Sequence, residues 1–366
     1  MRAASPPFAR NRTRAATHSG GVVRVASLAS APALLHDLGA DPVRLLKSVG
    51  LDPRVFKHPE NPIALVDAGR LLEVCAQSTG CPHFGLLVGQ RGGVASLGLV
   101  GALMQHSPTV DAALRSLTLH MHLRTRGGIP TRSAEGKWAT LGYAIYQRGM
   151  AGSAYAYDVA IATAFNVMRT LCGVDWLPSE VQFSRAKPRD TGPYRRFFRS
   201  PLRFDAERTA IVFARRWLDQ PLPGSDAALH RFFEKQIAER EALDVEDLTE
   251  KVRRALRTML VTGRGAEQHV AELFSIHPRT LHRRLRAQGT TLRALVEEGR
   301  REIACQLLRD TNMNVSEIAN VLDYADATAL TRAFGRWMNC PPAAWRAKVW
   351  SGQAKPVNLA AERSYR

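Results

Sequence analysis

The sequence predicts an α+β domain over residues 23–240, followed by an all-α domain over 241–350 with two helix-turn-helix units joined by a linker helix. Three observations support this fold class. The segment 139–146 alternates apolar and polar residues as a strand does, whereas helical periodicity prevails around it. Two similar helix-turn-helix patterns follow each other between 266 and 346. The 366 residues are also enough for two domains, each with a core of its own.

The two ends of the chain are predicted to lie outside these domains. Residues 1–22 form a basic tail with four arginines and no acidic residue, and residues 351–366 form a C-terminal tail. Because the first tail is rich in Ala, Ser, Thr, Pro and Arg, we expect it to be disordered. It contains no apolar run long enough for a signal peptide or a membrane span.

The first domain is predicted to begin with helices and to continue with a mixture of strands and helices. A helix should cover 65–78, a strand 139–146 and a long helix 155–172. Further short strands are predicted at 181–183, 202–204 and 210–213. This mixed order indicates the α+β class.

The first helix-turn-helix unit is AEQHVAELFSIHPRTLHRRLRAQG at 266–289. Its second helix should begin at Pro278, because the missing amide hydrogen has no partner in a first helical turn. Leu281 and Leu285 should face inward. The other face should carry the residues that contact DNA, namely Arg279, Thr280, His282, Arg283 and Arg286. An arginine in such a position can donate two hydrogen bonds to guanine.

The second unit is NVSEIANVLDYADATALTRAFGRWM at 314–338. Asp326 is the predicted N-cap of its second helix, and Leu330 and Phe334 should pack inward. The predicted DNA-binding residues of this unit are Thr328, Thr331 and Arg332. An amphipathic linker helix over 295–308 should separate the two units and fix their distance. The second unit, with its shorter side chains, is expected to position the protein on DNA more than to specify a sequence.

The charge of the chain agrees with DNA binding. The formal net charge is +18, and residues 251–350 hold 17 Lys and Arg against 9 Asp and Glu. Such a domain attracts phosphates and speeds the encounter with DNA, although the same charge can serve solubility or an anionic membrane surface. The charge therefore supports the helix-turn-helix argument without deciding it.

These C-terminal motifs resemble the AraC/XylS family of bacterial transcription regulators. The resemblance runs through both units and includes PRTL at 278–281, RRL at 283–285, RAF at 332–334 and WR at 345–346. The sequence departs from the family pattern at Ser275, His277, Asp323 and Asn339. Asp and Asn tolerate a left-handed backbone, so the departures at Asp323 and Asn339 should be mild. Ser275 is a weaker substitute for glycine than these two residues.

The first domain resembles the effector domain of AraC regulators of the ornithine-utilisation type. The resemblance covers about 200 residues and rests on LGADP at 38–42, SLGLVG at 96–101, SPTVDAAL at 107–114, PYRRFF at 193–198 and PLPG at 221–224. It implies a small-molecule sensor and a dimerisation surface, and it does not establish a sugar as the ligand. The predicted effector-contacting residues are Met104, His120, Trp138, Tyr143, Tyr146 and Phe165.

An enzymatic role is the alternative for this domain. His120 and His122 share one face if their segment is a strand, but no neighbouring ligand completes a metal site. The glycine-rich segment 89–93 lacks the ending of a phosphate loop, and we expect a flexible loop there. No catalytic constellation and no cofactor are predicted. The five scattered cysteines argue against a disulfide framework and favour a reducing cytoplasm.

The sequence thus predicts a ligand-responsive regulator that binds promoter DNA, located in the cytoplasm with the nucleoid. The linker helix would place two recognition helices in successive major grooves, about 34 Å apart. The family resemblance implies an activator that contacts RNA polymerase and forms a homodimer. The alternatives are a repressor, a nonspecific architectural DNA-binding protein, and an enzyme with a DNA-binding appendage.

Overall fold

The computed structural model describes residues 21–145, 150–243 and 278–351, together with Thr249, Val252, Arg253 and Leu256. The tail predicted to be disordered lies outside the described residues up to residue 20, and so does the C-terminal tail from residue 352. The first helix of the first helix-turn-helix unit, with Ser275 and His277, also lies outside them.

The described part of the first domain contains nine α-helices. They are α1 (Ala31–Asp37), α2 (Pro42–Ser48), α3 (Leu65–Ser78), α4 (Phe84–Gln90), α5 (Leu99–Gln105), α6 (Val110–His120), α7 (Ser153–Cys172), α8 (Gly192–Phe198) and α9 (Ala227–Leu243). The helix predicted over 65–78 coincides with α3, and the one predicted over 155–172 is α7 with two further residues at its start. The helical predictions for this domain are confirmed at both places.

Two β-sheets accompany these helices. The first has the order β2-β1-β3, with β1 (Val22–Arg24), β2 (Pro62–Ala64) and β3 (Thr125–Arg126). The second has the order β4-β5-β8-β6-β7, with β4 (Gly128–Glu135), β5 (Trp138–Ile145), β6 (Glu180–Gln182), β7 (Leu202–Arg203) and β8 (Ala210–Ala214). All neighbouring strands are antiparallel except β6 and β7, which pair in parallel. Each predicted strand is therefore present, and the α+β class is confirmed.

Helix α7 joins the two halves of this domain. Tyr157 and Val159, near its start, belong to the core around the three-stranded sheet. Phe165 and Met168, two turns later, are fully buried in the core beneath the five-stranded sheet. Helix α4 can pack closely on α7 because a Cβ atom at Gly89 would lie only 2.7 Å from the Cβ of Ala162. One helix thus contributes to two adjacent cores, and a cavity between them touches α7.

The glycine-rich segment 89–93 is held in place, so the expectation of a flexible loop there is wrong. Gly89 and Gln90 end α4, and the segment then runs alongside α7. The side-chain amide of Asn166 in α7 donates to the carbonyl oxygens of Gln90 at 2.9 Å and Gly92 at 2.7 Å. The glycines serve close packing, which a sequence motif for phosphate binding cannot reveal.

The described part of the second domain is all helical. Its helices are α10 (Pro278–Ala287), α11 (Leu292–Asp310), α12 (Val315–Val321), α13 (Ala327–Met338) and α14 (Pro342–Trp350). The predicted linker helix is α11, which extends beyond 295–308 at both ends. Leu281, Leu285, Leu330 and Phe334 are buried in one core, as their spacing predicts.

The turns of this domain explain why the departures from the family pattern at Asp323 and Asn339 are tolerated. Asp326 caps α13 as predicted, because its carboxylate accepts from the amide of Ala329 at 2.7 Å. Asp323 and Asn339 both adopt the left-handed conformation, with φ of 58° and 54°. Glycine has no steric cost in this conformation, and Asp and Asn are among the residues that accept it most readily.

The proposed domain boundary after residue 240 falls inside α9, which continues to Leu243. At the other end, β1 begins at Val22, one residue before the proposed start of the domain. Helix α9 packs on α5 and then leads along the chain into the second domain. It is therefore the last described helix of the first domain before the helix-turn-helix units in the chain.

Candidate nucleic-acid interface and ligand cavity

Helix α10 presents one buried and one basic face. Leu281 and Leu285 are 1% and 0% exposed and attach the helix to the core. The predicted DNA-binding side chains of this helix together line one shallow concave surface, namely Arg279, Thr280, His282, Arg283 and Arg286. All are exposed except Thr280, which is half-buried, and the helix contains no acidic residue. This surface can attract phosphates and present hydrogen-bond donors to base edges.

Helix α13 presents a smaller surface. Thr328 and Arg332 are exposed, and Thr331 is half-buried. The hydroxyl of Thr331 donates to the carbonyl oxygen of Ala327 at 2.7 Å. Because this hydrogen bond lies within the helix, Thr331 offers DNA its methyl group and an acceptor lone pair, not a donor.

Helix α14 anchors α13 to the linker helix α11. Arg346 donates from Nε to the carbonyl oxygen of Leu308 at 2.8 Å and from Nη2 to that of Met313 at 2.6 Å. The Leu308 carbonyl lies in the last turn of α11, where backbone acceptors have no partner within the helix, and Met313 lies in the segment that follows α11. Trp345 packs edge-on against Phe334 of α13, with ring centroids 5.8 Å apart. The packing of α14 therefore fixes α13 relative to α11.

A cavity of about 120 Å³ lies between the two cores of the first domain. Side chains of α3, α7 and β5 form its walls, including Leu72, Leu141, Tyr143 and Val167. Most of the lining is apolar, with a small number of polar side chains. This is the usual composition of a ligand pocket, in which apolar walls supply affinity and few polar groups fix the orientation.

Arg124 is the charged residue on the cavity wall, and it is only 5% exposed. Its Nη1 donates to a carboxylate oxygen of Glu60, and its Nη2 donates to the carbonyl oxygen of Ser96 at 3.0 Å. Its Nε has no hydrogen-bond partner among the described residues. The hydroxyl of the neighbouring Thr125, which is 6% exposed and also lines the cavity, likewise has none there. Two adjacent residues of the wall thus each carry a buried polar atom with unused hydrogen-bonding capacity among the described residues.

The six predicted effector-contacting residues are not brought together. Tyr143 lines the cavity, whereas Met104 and Phe165 are fully buried in the core. Trp138 is 42% exposed at the start of β5, and Tyr146 lies outside the described residues. His120 is at the end of α6 and does not line the cavity. Sequence reasoning missed Arg124 and Thr125, because Glu60, which marks Arg124 as a buried ion-pair partner, is 64 residues away.

His120 and His122 are held by a carboxylate from α9. His120 ends α6 and His122 lies in the following 3₁₀ turn, so the strand-like spacing considered for them is wrong. Their ring nitrogens lie 3.2 and 2.9 Å from one oxygen of Glu241. Although burial opposes it, contact with the two imidazoles lowers the pKa of Glu241 to about 2. No group of three or more residues in the described ranges has the arrangement of a metal site.

Comparison with known proteins places both domains. A family model described as the arabinose-binding domain of AraC transcription regulator, N-term, matches residues 39–222, and a helix-turn-helix domain model matches 270–348. The HTH-type transcriptional regulator VirS of Mycobacterium tuberculosis is 26% identical over 90% of this chain and 97% of its own length. The ornithine utilization regulator of Pseudomonas aeruginosa is 25% identical over 86% and 93%. The crystal structure of the regulator CdpR from Pseudomonas aeruginosa aligns with a TM-score of 0.41 at 20% identity, over 85% of this chain and 97% of its own.

The fold and the family matches define a DNA-binding transcription regulator with an effector-type domain ahead of its helix-turn-helix units. The chain belongs to the AraC family. Members of this family are transcriptional regulators, not enzymes. Within the described residues, no helix combines the length and the apolar character needed to cross a membrane.

Proposed function

We propose that this chain is a ligand-responsive regulator whose α10 reads base edges in a promoter, while α13 mainly fixes the position of the protein on DNA. The observation that carries this proposal is the exposed face of α10, where Arg279, His282 and Arg283 adjoin on one concave surface. Arg283 is at the position that matches the groove-facing site of the family pattern. We assign it bidentate contact with a guanine.

The second unit contributes Thr328, Thr331 and Arg332. The hydroxyl of Thr331 already donates its hydrogen within the helix, and Thr328 has a short side chain. This face therefore offers fewer hydrogen bonds to bases than α10 does. Arg332 and Thr328 therefore contact phosphates in the proposal. In the proposal, α10 and α13 enter successive major grooves, and the position of α11 between them in the chain supports this placement.

The proposed partners are a second copy of the chain, RNA polymerase and a small molecule. The chain acts as a homodimer that binds adjacent sites, contacts RNA polymerase and activates transcription when a small molecule occupies the first domain. The cavity between the two cores supports the ligand-dependent part. Repression is the alternative sign of regulation, and it uses the same DNA contacts with a site that overlaps the promoter.

Footprinting tests this proposal against a nonspecific architectural protein. The purified chain is titrated onto the DNA upstream of its own gene and of the neighbouring genes, at two salt concentrations. A protected segment of defined sequence, with affinity that falls as salt rises, is the expected result. Uniform protection without a preferred segment at either salt concentration would show an architectural binder. Transcription from the protected promoter with purified RNA polymerase then distinguishes activation from repression.

A further inference from the structure

The cavity between the two cores gives the chemical class of the ligand, given the proposed ligand-responsive function on which this inference rests. We infer that it binds a small monocarboxylic acid with an apolar body, whose carboxylate contacts Arg124 Nε and the hydroxyl of Thr125.

The walls exclude a sugar. A sugar carries a hydroxyl group on almost every carbon, and each buried hydroxyl costs free energy unless it gains a hydrogen-bond partner. The cavity wall is instead formed largely by aliphatic side chains such as Leu28, Leu72, Leu141 and Val159. An apolar cavity of roughly 150 Å³ in another protein stays dry and takes up benzene. The cavity of about 120 Å³ therefore suits a short chain or a single ring.

The polar groups on the wall select an anionic oxygen. Arg124 Nε is a donor that is buried and unused within the described part of the chain, and Thr125 Oγ1 lies on the next residue. Both atoms are almost completely covered, so contact with the ligand requires a small shift of the two side chains. A buried donor without a partner carries a free-energy penalty, which a ligand oxygen would remove. A hydrogen bond from guanidinium to carboxylate is also stronger than one to a neutral carbonyl.

The surrounding charge favours an acid over a neutral compound. Arg124 and Arg240 contact the carboxylate of Glu60, and Arg24 donates to the backbone carbonyl oxygen of the same residue. Burial lowers the pKa of Arg24. The charge of Glu60 opposes this shift, whereas the positive charges of Arg240 and Arg124 add to it. Three arginines thus lie near one glutamate, so a second negative charge beside Arg124 relieves the repulsion among them.

The test is calorimetric titration of the full chain with hexanoate, its neutral analogue hexanamide, and arabinose. We expect hexanoate to bind about tenfold more tightly than hexanamide, because the charged oxygen makes the stronger hydrogen bond. Arabinose should not bind. Equal affinity for the acid and the amide would assign a neutral carbonyl ligand, and binding of arabinose alone would assign a sugar; either result overturns the inference, as does failure of hexanoate to bind.

Three variants locate the site. Thr125→Val removes the hydroxyl at nearly constant volume and should weaken hexanoate binding about fivefold or more. Thr118→Val is the matched control, because Thr118 is also buried but bonds the carbonyl oxygen of Leu114 and does not line the cavity. Ala164→Phe fills the cavity and should abolish binding. Circular dichroism and binding of promoter DNA without ligand confirm that each variant is folded.

The hexanoate titration and the DNA footprint test the ligand class and the proposed function separately. If the chain protects a defined promoter segment but hexanoate does not bind, the ligand class is wrong and the DNA-reading proposal stands. If hexanoate binds the cavity but no DNA segment is preferred, the ligand class stands and the proposed function is wrong. Hexanoate binding that survives Ala164→Phe contradicts the location of the site.

Discussion

Arg124 and Arg240 share one carboxylate. Arg124 Nη1 donates to Oε1 of Glu60, and Arg240 Nη2 lies 3.6 Å from Oε2 of the same residue. Arg124 lines the cavity, whereas Arg240 belongs to α9, which leads along the chain to the helix-turn-helix units. Because Arg240 is 49% exposed, its ion pair contributes little to stability. Glu60 therefore connects Arg124 on the cavity wall with Arg240 in α9.

Substitution of Glu60 by Gln should separate ligand binding from DNA binding. In the wild type we expect hexanoate to change the affinity for promoter DNA about fivefold or more, the usual size of an allosteric coupling. In Glu60→Gln, hexanoate should still bind, but its effect on DNA affinity should be lost because the carboxylate no longer joins Arg124 to Arg240. Electrophoretic mobility shifts with and without hexanoate measure this. Glu135→Gln, an exposed glutamate at the end of β4, is the control, and an unchanged ligand effect in Glu60→Gln would remove Glu60 from the connection.

The end of α9 should loosen when Glu241 is replaced by Gln. Glu241 is the residue through which α9 contacts both His120 and His122. Loss of its charge weakens these contacts, so the amides near the end of α9 should exchange hydrogen about fivefold faster in the native state. Hydrogen exchange followed by mass spectrometry gives the rates. The control is Glu239→Gln, whose carboxylate contacts Lys235 on the same helix, and similar exchange in the two variants would argue against the contact.

The pH dependence of stability should report Asp158. This residue of α7 is fully buried, accepts from Tyr194 at 2.7 Å and pairs with Arg185 at 2.9 Å. Burial raises the pKa of Asp158 to about 6, above its value in an unfolded chain, although Arg185 and Tyr194 oppose the shift. Between about pH 4 and 6 the folded protein therefore keeps a proton on Asp158 that the unfolded chain has lost. The free energy of unfolding that this proton contributes is lost as pH rises through this range.

Asp158→Asn should remove that slope while keeping a polar side chain beside Arg185 and Tyr194. The expected difference between the two proteins is roughly 2–3 kcal/mol across the window, measured by urea unfolding at several pH values. Asp111→Asn provides the contrast. Burial alone would raise the pKa of Asp111, but its pairing with Arg132 and Arg115 lowers it, so its stabilisation is present above its unfolded pKa and is lost as pH falls. A slope in Asp158→Asn equal to that of the wild type is incompatible with a proton on Asp158.

The N-cap of α13 can be tested with a matched pair of substitutions. Asp326→Ala removes the acceptor of the Ala329 amide and should cost about 0.5–2 kcal/mol of stability. Asp326→Asn keeps the acceptor and should cost much less. Thermal unfolding of both variants gives the comparison, and equal losses would mean that the charge of Asp326 matters and its hydrogen bond does not.

Local patterns sufficed for much of this fold. Spacing places Leu281 and Leu285 on the buried face of α10, and the pairing of a polar side chain with a helix start identifies Asp326 as a cap. The cavity was beyond such reasoning, because its walls come from β1, α3, β5 and α7, which are distant in sequence. Arg124 in particular becomes notable only when Glu60 is placed beside it. Likewise Glu241, more than a hundred residues from His120, completes a cluster that no sequence spacing indicates.

The central claim is that Arg283 reads a base, and selection of bound sequences from a random DNA pool tests it most directly. Arg283→Ala should cost about 1–3 kcal/mol on the preferred sequence and relax the preference at one base position only. Arg284→Ala, one residue along the same helix, should weaken binding to all sequences alike, as loss of a phosphate contact does. Equal weakening on every sequence in Arg283→Ala, with the wild-type base preference intact, would contradict the assignment of α10 as the base-reading helix through Arg283.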